Sequence, residues 1–135
     1  MKVVLLTITA VVGMVLMVAL TSVSAHHSFT AEFDINKPVS LTGTVDHMRW
    51  VNPHSWLHIN VEEADGTVTA WKVEFGLPQG LYRRGWRKSD LPVGEGVTVE
   101  GYLAKDGTNT ANARAVTLTD GRRLFAGTSA PGGNK

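Results

Sequence analysis

Three consecutive runs of alternating apolar and polar side chains, separated by turn-forming residues, constrain the fold of this chain most strongly. The first run begins at Val39 and ends at Asn52-Pro53, because proline cannot donate a hydrogen bond to a strand ladder and favours a turn. The second covers residues 56–62, and Ala64-Asp65-Gly66 then forms a hairpin loop with glycine at the position that needs a positive φ. The third covers residues 67–75. This period of two predicts three strands in a meander.

The second half of the chain predicts one short helix and further strands. In order, these are a helix over residues 78–84 that Gly85 ends, strands over residues 97–103 and 113–119, and a short last strand through Leu124 and Phe125. Three strands, a short helix and two more strands are the order of an OB-type barrel. We therefore predict an all-β domain with one short helix, folded as an OB-like five-stranded barrel. A small open β-sandwich is the alternative that the same alternation permits.

The first predicted strand also indicates how the barrel curves. Its apolar face ends in a histidine and consists of Val39, Leu41, Gly43, Val45 and His47. Met48 falls on the opposite, polar face. Glycine inside a strand marks a bend or a bulge, so we expect the strand to curl at Gly43.

The first 25 residues have the features of a secretory signal peptide. A lone Lys2 precedes an apolar segment from Val3 to Leu20, and the small residues Val23 and Ala25 mark a cleavage site after Ala25. An uncleaved membrane anchor is the alternative, because the apolar segment reaches the lower edge of the length that spans a bilayer. We predict cleavage, since no positive cluster follows, and hence a periplasmic or secreted protein without a membrane span after processing.

These features divide the chain into four predicted parts. Residues 1–25 are the signal peptide, residues 26–38 an N-terminal arm or short strand, residues 39–126 the barrel, and residues 127–135 a glycine-rich polar tail that we expect to be disordered. The chain has no cysteine. An exported domain of this kind must be held by its core instead of by disulfides, which a domain of about 100 residues can achieve.

The charge balance bears on possible partners. Loss of Lys2 with the signal peptide lowers the basic count from 13 to 12, against 12 acidic residues. Proteins that read nucleic acids carry a basic surplus on one face. We therefore expect no nucleic-acid partner.

All five histidines lie between residues 26 and 58. Cleavage after Ala25 would make His26 the amino terminus, with its α-amine and its ring as two nitrogen donors. Their ordinary pKa values, roughly 7.7 to 8.0 and about 6.5, let a metal displace both protons near neutral pH. Such a nitrogen set suits copper(II) and is similar to the N-terminal histidine brace of exported copper proteins. His27, His54 and His58 are the candidates for the remaining ligands.

Each histidine is also compatible with a role outside such a brace. Cleavage after Ser24 would instead make His27 the third residue, which resembles the amino-terminal copper and nickel site. Without a metal, His26 and His27 are simply solvated residues left by the peptidase. His47 lies on the apolar face of its strand, where a structural role is expected. His54 follows a proline, and its ring could cap the turn or face a ligand.

The pairing of the second and third strands predicts a partner for His58. Around the hairpin loop, His58 lies opposite Lys72, with Glu74 on the diagonal. A slip of two residues would put His58 directly opposite Glu74. In both registers a carboxylate lies within reach of the imidazole. Glu74 is therefore expected either to bond a surface His58 or to orient it as a metal ligand.

The tryptophans fit either a structural or a binding role. Trp71 is predicted to lie in the core, while Trp50, Trp56 and Trp86 could line a cleft or cover the barrel ends. Aromatic faces of OB barrels can stack sugars or bases. Trp50 and Trp56 flank the Asn-Pro turn, so the corner between them is a candidate contact surface.

No catalytic constellation can be assembled from the sequence. Ser28 and Ser55 each neighbour a histidine, but adjacency in sequence does not give the geometry of a triad. Glycine patterns that bind phosphates or dinucleotides are missing as well. We assign no catalytic residue and expect a binding protein rather than an enzyme.

Several motifs together resemble a family of small exported bacterial proteins known as domain of unknown function 6152. They are His26-His27-Ser28-Phe29, Phe33-Asp34, Trp50-Val51-Asn52-Pro53-His54, Trp71 with Glu74, Arg84-Gly85-Trp86, and the segment Gly101-Tyr102-Leu103-Ala104-Lys105-Asp106-Gly107. The resemblance covers nearly the whole expected mature chain. It implies export and a small β fold, and it implies no activity.

Two functional hypotheses follow. In the first, a periplasmic protein binds copper(II) through His26 and at least one further histidine. In the second, a metal-independent module of the cell envelope binds a small ligand or a protein partner through the corner between Trp50 and Trp56.

Overall fold

The structure is a computed structural model that describes residues 29–132. The predicted signal peptide, together with His26 and His27, lies outside the described residues. Strands make up half of the described chain. In order, they are β1 (Phe33–Arg49), β2 (Trp56–Glu62), β3 (Val68–Glu74), β4 (Gly96–Ala104), β5 (Thr110–Leu118) and β6 (Arg123–Phe125). Between β3 and β4 come helix α1 (Pro78–Arg83) and a 3-10 turn (Lys88–Asp90), and residues 29–32 are helical.

The strands form one sheet that closes on itself. Their order is β3-β2-β1-β4-β5-β6, and β3 also pairs with β5 in parallel. This second pairing closes the first five strands into a barrel-like ring. The ring has the strand connections of an OB-type fold. The closure excludes the open sandwich and confirms the predicted OB-like class. β6 is a short extension paired with β5.

β1 is long because two neighbours share it. Its residues 38–44 pair with β4, and its residues 44–49 pair with β2. Gly43 lies where the partner changes, and a Cβ atom there would come within 2.4 Å of the carbonyl oxygen of Asn60. Only glycine allows the two strands to approach this closely. The bend predicted at Gly43 is therefore the point at which the sheet curls into a ring.

A β-bulge changes which face of β1 points inward. The register with β2 shifts between Val45 and His47. Val45 is buried, but beyond the bulge Met48 packs against the core and His47 is half-exposed. The prediction that His47 continues the apolar face was wrong, because a bulge adds one residue and reverses the alternation.

The core fills the ring and extends beneath α1. Its largest fully buried side chains are Trp86, Phe75, Leu57, Ile59, Leu81, Val73, Val99 and Val116. The indole Nε1–H of Trp86 donates to the carbonyl oxygen of Phe125 over 2.9 Å, so this buried donor is satisfied. Trp86 is thus a core residue that ties the segment after α1 to β6.

The helix between β3 and β4 agrees with the prediction within one residue. Pro78 stands at the start of α1, where its missing N–H costs no hydrogen bond, and Gly85 follows the helix with φ of 101°. Leu81 is its buried residue and joins the core. Across residues 29–132, no helix has both the length and the apolar character needed to cross a membrane.

A second, smaller cluster lies outside the ring. Phe29 and Phe33 have ring centroids 5.7 Å apart, and Phe29 meets Tyr102 of β4 edge-on at 5.7 Å. Ala130 completes this cluster. We expected an arm or short strand over residues 26–38, a barrel strand from Val39, and a disordered tail over residues 127–135. Instead, β1 already begins at Phe33, and in the described part of the tail Ala130 is buried in the cluster of Phe29 and Phe33. Burying these apolar side chains removes them from water.

Gly43→Ala tests the origin of the curvature. The added methyl group would collide with the backbone of β2, so we expect a loss of about 1–3 kcal/mol in the free energy of unfolding. Gly80→Ala is the matched control, because the nearest atom to its new Cβ is a leucine side-chain carbon 3.7 Å away and alanine favours the helix. Urea denaturation of both variants measures the difference. Equal stabilities would contradict the proposed role of Gly43.

Candidate functional site

The turn between β1 and β2 is fixed to the end of β3. Ser55 donates its N–H to the carbonyl oxygen of Gly76 over 3.1 Å, and Phe75 donates its N–H to the carbonyl oxygen of Ser55 over 2.8 Å. Trp56 pairs with Glu74 across the β2–β3 ladder. These bonds hold His54 beside the carboxylate of Glu74. The position of this histidine is therefore set by backbone hydrogen bonds and not by its own side chain.

Glu74 is the centre of a buried polar network. His54 Nδ1 lies 3.3 Å from Glu74 Oε1, and Asn112 Nδ2 donates to the same oxygen over 3.1 Å. Thr128 Oγ1 donates to Asn112 Oδ1 and accepts the backbone N–H of Ala130 over 3.0 Å. The pairing of β3 with β5 sets Glu74 opposite Asn112. Four segments of the chain thus meet in one network, in which His54 and Asn112 contact the Glu74 carboxylate and Thr128 contacts Asn112.

The environment of Glu74 favours its protonated form. Burial raises the pKa of the Glu74 carboxyl above its ordinary value, and the nearby Glu32 carboxylate raises this pKa further. His54, Asn112 and Lys72 act in the opposite direction but do not outweigh burial. Only the ionised form of this carboxyl is a strong, charge-assisted acceptor for a ring N–H, and the nearby His54, Asn112 and Lys72 are the groups that favour this ionised form.

His54 differs from Glu74 in its access to solvent. The side chain of His54 is 38% exposed, against 7% for Glu74. Because Nδ1 faces the carboxylate, Nε2 is the ring nitrogen turned toward a possible ligand. In metal sites, histidines are commonly oriented by a carboxylate that contacts one imidazole nitrogen while the other nitrogen binds the metal.

His58 does not meet Glu74. The β2–β3 register sets His58 opposite Lys72, as predicted, and excludes the slip of two residues. The ring of His58 instead stacks on His47 of β1, with centroids 4.0 Å apart and planes 12° apart. Burial, followed by the charges of His47 and Lys72, lowers the pKa of His58. Its Nε2 is buried without a hydrogen-bond partner among residues 29–132.

The structure brings together only part of the predicted copper ligands. His54 and Glu74 are in contact, His58 faces β1, and His26 and His27 lie outside the described residues. Within the described range, no cluster of three or more histidine or carboxylate side chains could hold a metal ion.

The two tryptophans of the predicted corner have different surroundings. Trp50 packs against the core and stacks on Tyr82 of α1, with centroids 5.5 Å apart. Trp56 lies under the ammonium group of Lys72, which is 4.0 Å from its ring centroid. Trp56 also lines an open hollow beside residues 29–32. Of the two, Trp56 is the one available to a ligand at this hollow.

Sequence reasoning missed two members of the network. Asn112 is a lone amide in an alanine-rich strand, between Ala111 and Ala113, and such an isolated polar residue was the available signal. Thr128 lies in the segment that we predicted to be disordered, so no local pattern indicated its burial. Both are recruited by tertiary contacts, through β5 and through the folded-back segment that follows β6.

Comparison with known proteins gives one match. A family model described as "Family of unknown function (DUF6152)" matches residues 14–113. No curated protein and no solved structure matches the chain. The matched range contains His54, Trp56, Glu74 and Asn112, and it ends before Thr128.

Glu74→Gln should change how stability depends on pH. The folded pKa of Glu74 is raised, so above its ordinary value near 4.5 the folded state holds a proton that the unfolded state has lost. This contribution to stability is full below that value and disappears as the pH rises through the folded pKa. The free energy of unfolding of the wild type, relative to Glu74→Gln, should therefore fall with rising pH.

Urea denaturation over a pH series, in the presence of a chelator, measures this difference. Glu62→Gln, at an exposed position on β2, controls for the loss of one carboxylate. Parallel pH profiles for the wild type and Glu74→Gln would show that Glu74 titrates alike in the folded and unfolded states, against our expectation.

Proposed function

Because this chain belongs to the Family of unknown function (DUF6152), a family without an assigned activity, its function has to be argued from its site. We propose that the exported protein, processed to begin at His26, binds copper(II) through the His26 α-amine and ring together with Nε2 of His54. Glu74, in contact with Nδ1 of His54, orients the imidazole ring so that Nε2 faces the metal. His27 offers a further nitrogen donor.

The contact between His54 and Glu74 is the observation that carries this proposal. A histidine on a solvent-facing turn ordinarily rotates freely, and ordering it for a metal costs side-chain entropy. Here the Glu74 carboxylate lies 3.3 Å from Nδ1 of His54, and Asn112 donates a hydrogen bond to the same carboxylate oxygen. The remaining nitrogen is therefore oriented before any metal arrives, as in other carboxylate–histidine–metal arrangements.

The course of the chain supports a role for His26. Residues 29–32 run close to the Trp56–Glu74 pair, since Glu32 lines the same hollow as Trp56, the cross-strand partner of Glu74. His26 precedes Phe29 by three residues, and three residues span at most about 11 Å. The amine and imidazole nitrogens of such a set are donors that copper(II) prefers over carboxylate oxygens.

The proposal includes export and processing. Cleavage after Ala25 produces the amine of His26 and releases the protein into the periplasm or the medium. Cleavage after Ser24 would instead favour a copper site made by the amino-terminal peptide with His27. Mass spectrometry of the mature protein distinguishes the two starts.

A metal-independent binding module is the second candidate. The hollow beside Trp56, lined in part by Lys72 and Thr110, favours it, because it is a concave surface with both aromatic and polar groups. This candidate needs neither a free amino terminus nor His54.

Copper(II) titration of the processed protein tests the first proposal. We expect one equivalent of copper to bind, with nitrogen hyperfine structure in the electron paramagnetic resonance spectrum. His26→Ala should abolish this binding, since it removes a ring donor. His54→Ala should weaken binding more than tenfold, and Glu74→Gln, which disturbs the orientation of His54, by about 10- to 100-fold.

His47→Ala is the matched control, because His47 is a half-exposed histidine that does not contact Glu74. It should bind copper like the wild type. The proposal is wrong if the protein with a free His26 amine binds no stoichiometric copper. If His54→Ala binds as tightly as the wild type, His54 is not a ligand.

A further inference from the structure

A hollow with a volume of about 590 Å³ lies on the outer face of the ring, between residues 29–32 and the ends of β2 and β3. Its polar and aromatic lining consists of Glu32, Trp56, Lys72, Lys105, Asp106 and Thr110. This volume falls within the range of roughly 300 to 1,000 Å³ that small-molecule sites occupy. The copper proposal assigns no role to this hollow, and the inference drawn from it rests on the second candidate function, the metal-independent binding module, for which it names the ligand.

We propose that this hollow binds a neutral saccharide, which stacks on Trp56 and hydrogen-bonds to the charged side chains around it. The proposal does not depend on copper, since none of these side chains is a proposed metal ligand. It depends on the charge balance, the aromatic surface and the rigidity of the hollow.

The charges of the hollow select against simple ions. Its lining carries two carboxylates, Glu32 and Asp106, and two ammonium groups, Lys72 and Lys105. An anion attracted by the lysines would also meet repulsion from the carboxylates, and a cation attracted by the carboxylates would also meet repulsion from the lysines. A hydroxyl group donates one hydrogen bond and accepts others, so a ring with many hydroxyls can satisfy both pairs at once.

Trp56 supplies the apolar surface that a sugar ring needs. Its side chain is partly exposed, and the Lys72 ammonium group lies 4.0 Å from the ring centroid. Indole rings offer a broad face to the C–H groups of a saccharide. The Lys72 ammonium group covers this face of the ring, so a saccharide that stacks here would move it to the ring edge, where its donors can bond the sugar hydroxyls.

The walls of the hollow are joined to one another. Lys105 donates its backbone N–H to the carbonyl oxygen of Glu32 over 2.8 Å, and its ammonium group donates to the carbonyl oxygen of Thr30. Lys72 of β3 pairs with Thr110 of β5. These bonds connect the helical residues 29–32, the β4–β5 loop and β3. The site is therefore formed before a ligand arrives, which lowers the entropy cost of binding.

The position of the hollow agrees with the usual use of this fold. OB folds bind oligosaccharides and oligonucleotides on the face of their second and third strands and with the loop between the fourth and fifth. Trp56, Lys72 and the loop residues Lys105 and Asp106 occupy these positions. The balanced charge disfavours the oligonucleotide, whose phosphates require a basic surplus.

The indole N–H resonances of the four tryptophans make a site-specific test. The processed protein, labelled with ¹⁵N and kept in a chelator, is titrated with tetrasaccharides of glucose, xylose, mannose and N-acetylglucosamine up to about 10 mM, a weak-binding limit on the affinity scale. We expect at least one of them to shift the Trp56 resonance saturably. The resonances of Trp71 and Trp86, on core-packed side chains, should move little.

Variants of the hollow complete the test. Trp56→Ala should lower the affinity more than tenfold, and Trp56→Phe should retain most of it. Lys72→Met keeps the aliphatic stem but removes the ammonium donors, so it should weaken binding about tenfold. Tyr82→Ala removes an aromatic ring that stacks on Trp50 outside the hollow and should bind like the wild type. Dispersed amide spectra verify that each variant is folded.

Three outcomes would overturn the proposal. The first is that no neutral tetrasaccharide shifts the Trp56 resonance, and the second is that Trp56→Ala binds as well as the wild type. The third is that an anionic saccharide, tetragalacturonate, or a zwitterion, glycylglycine, binds more tightly than every neutral sugar. Because a chelator is present throughout, failure here leaves the copper titration unaffected. Failure of the copper titration likewise leaves this result standing.

Discussion

Three residue pairs between β3 and β5, from Lys72–Thr110 to Glu74–Asn112, close the ring of strands. Parallel pairing of strands this far apart in sequence needs a long connection, which α1, the 3-10 turn and β4 provide. The same pairs bring the carboxylate of Glu74 to the amide of Asn112 and Lys72 to the rim of the hollow. Closure of the barrel and assembly of both candidate sites are therefore one event.

A buried carboxylate is costly for a fold of this size. Taking it out of water raises its pKa, and its neighbours relieve this cost only in part. An apolar residue paired with an apolar partner would serve the barrel equally well at this position. Carboxyls with perturbed pKa values cluster at functional sites. The burial of Glu74 beside the partly exposed His54 is therefore the feature on which the proposed metal site rests.

The strands were predictable because their alternation is local, and the β2–β3 register followed from the short hairpin between them. What the sequence did not reveal depends on contacts between distant segments. The bulge between Val45 and His47 leaves no mark in the pattern, and it turns His47 outward to stack on His58. His58 is thereby kept away from Glu74. His54 is the histidine that contacts Glu74, because backbone hydrogen bonds of Ser55 tie the β1–β2 turn to the end of β3. The alternation of apolar and polar residues carries no information about these bonds.

The two candidate sites are adjacent, because one cross-strand residue pair contributes to both. Trp56 faces the hollow, and its cross-strand partner Glu74 faces His54. Side chains directly opposite each other on paired strands have Cβ atoms about 5 Å apart, close enough for a change at one to be felt at the other. Glu32 also lines the hollow and acts on the charge of Glu74. A ligand that neutralises Glu32 or moves Lys72 would change the electrostatic field at the carboxylate beside His54. By linkage, a metal at His54 would change the affinity for that ligand by the same factor.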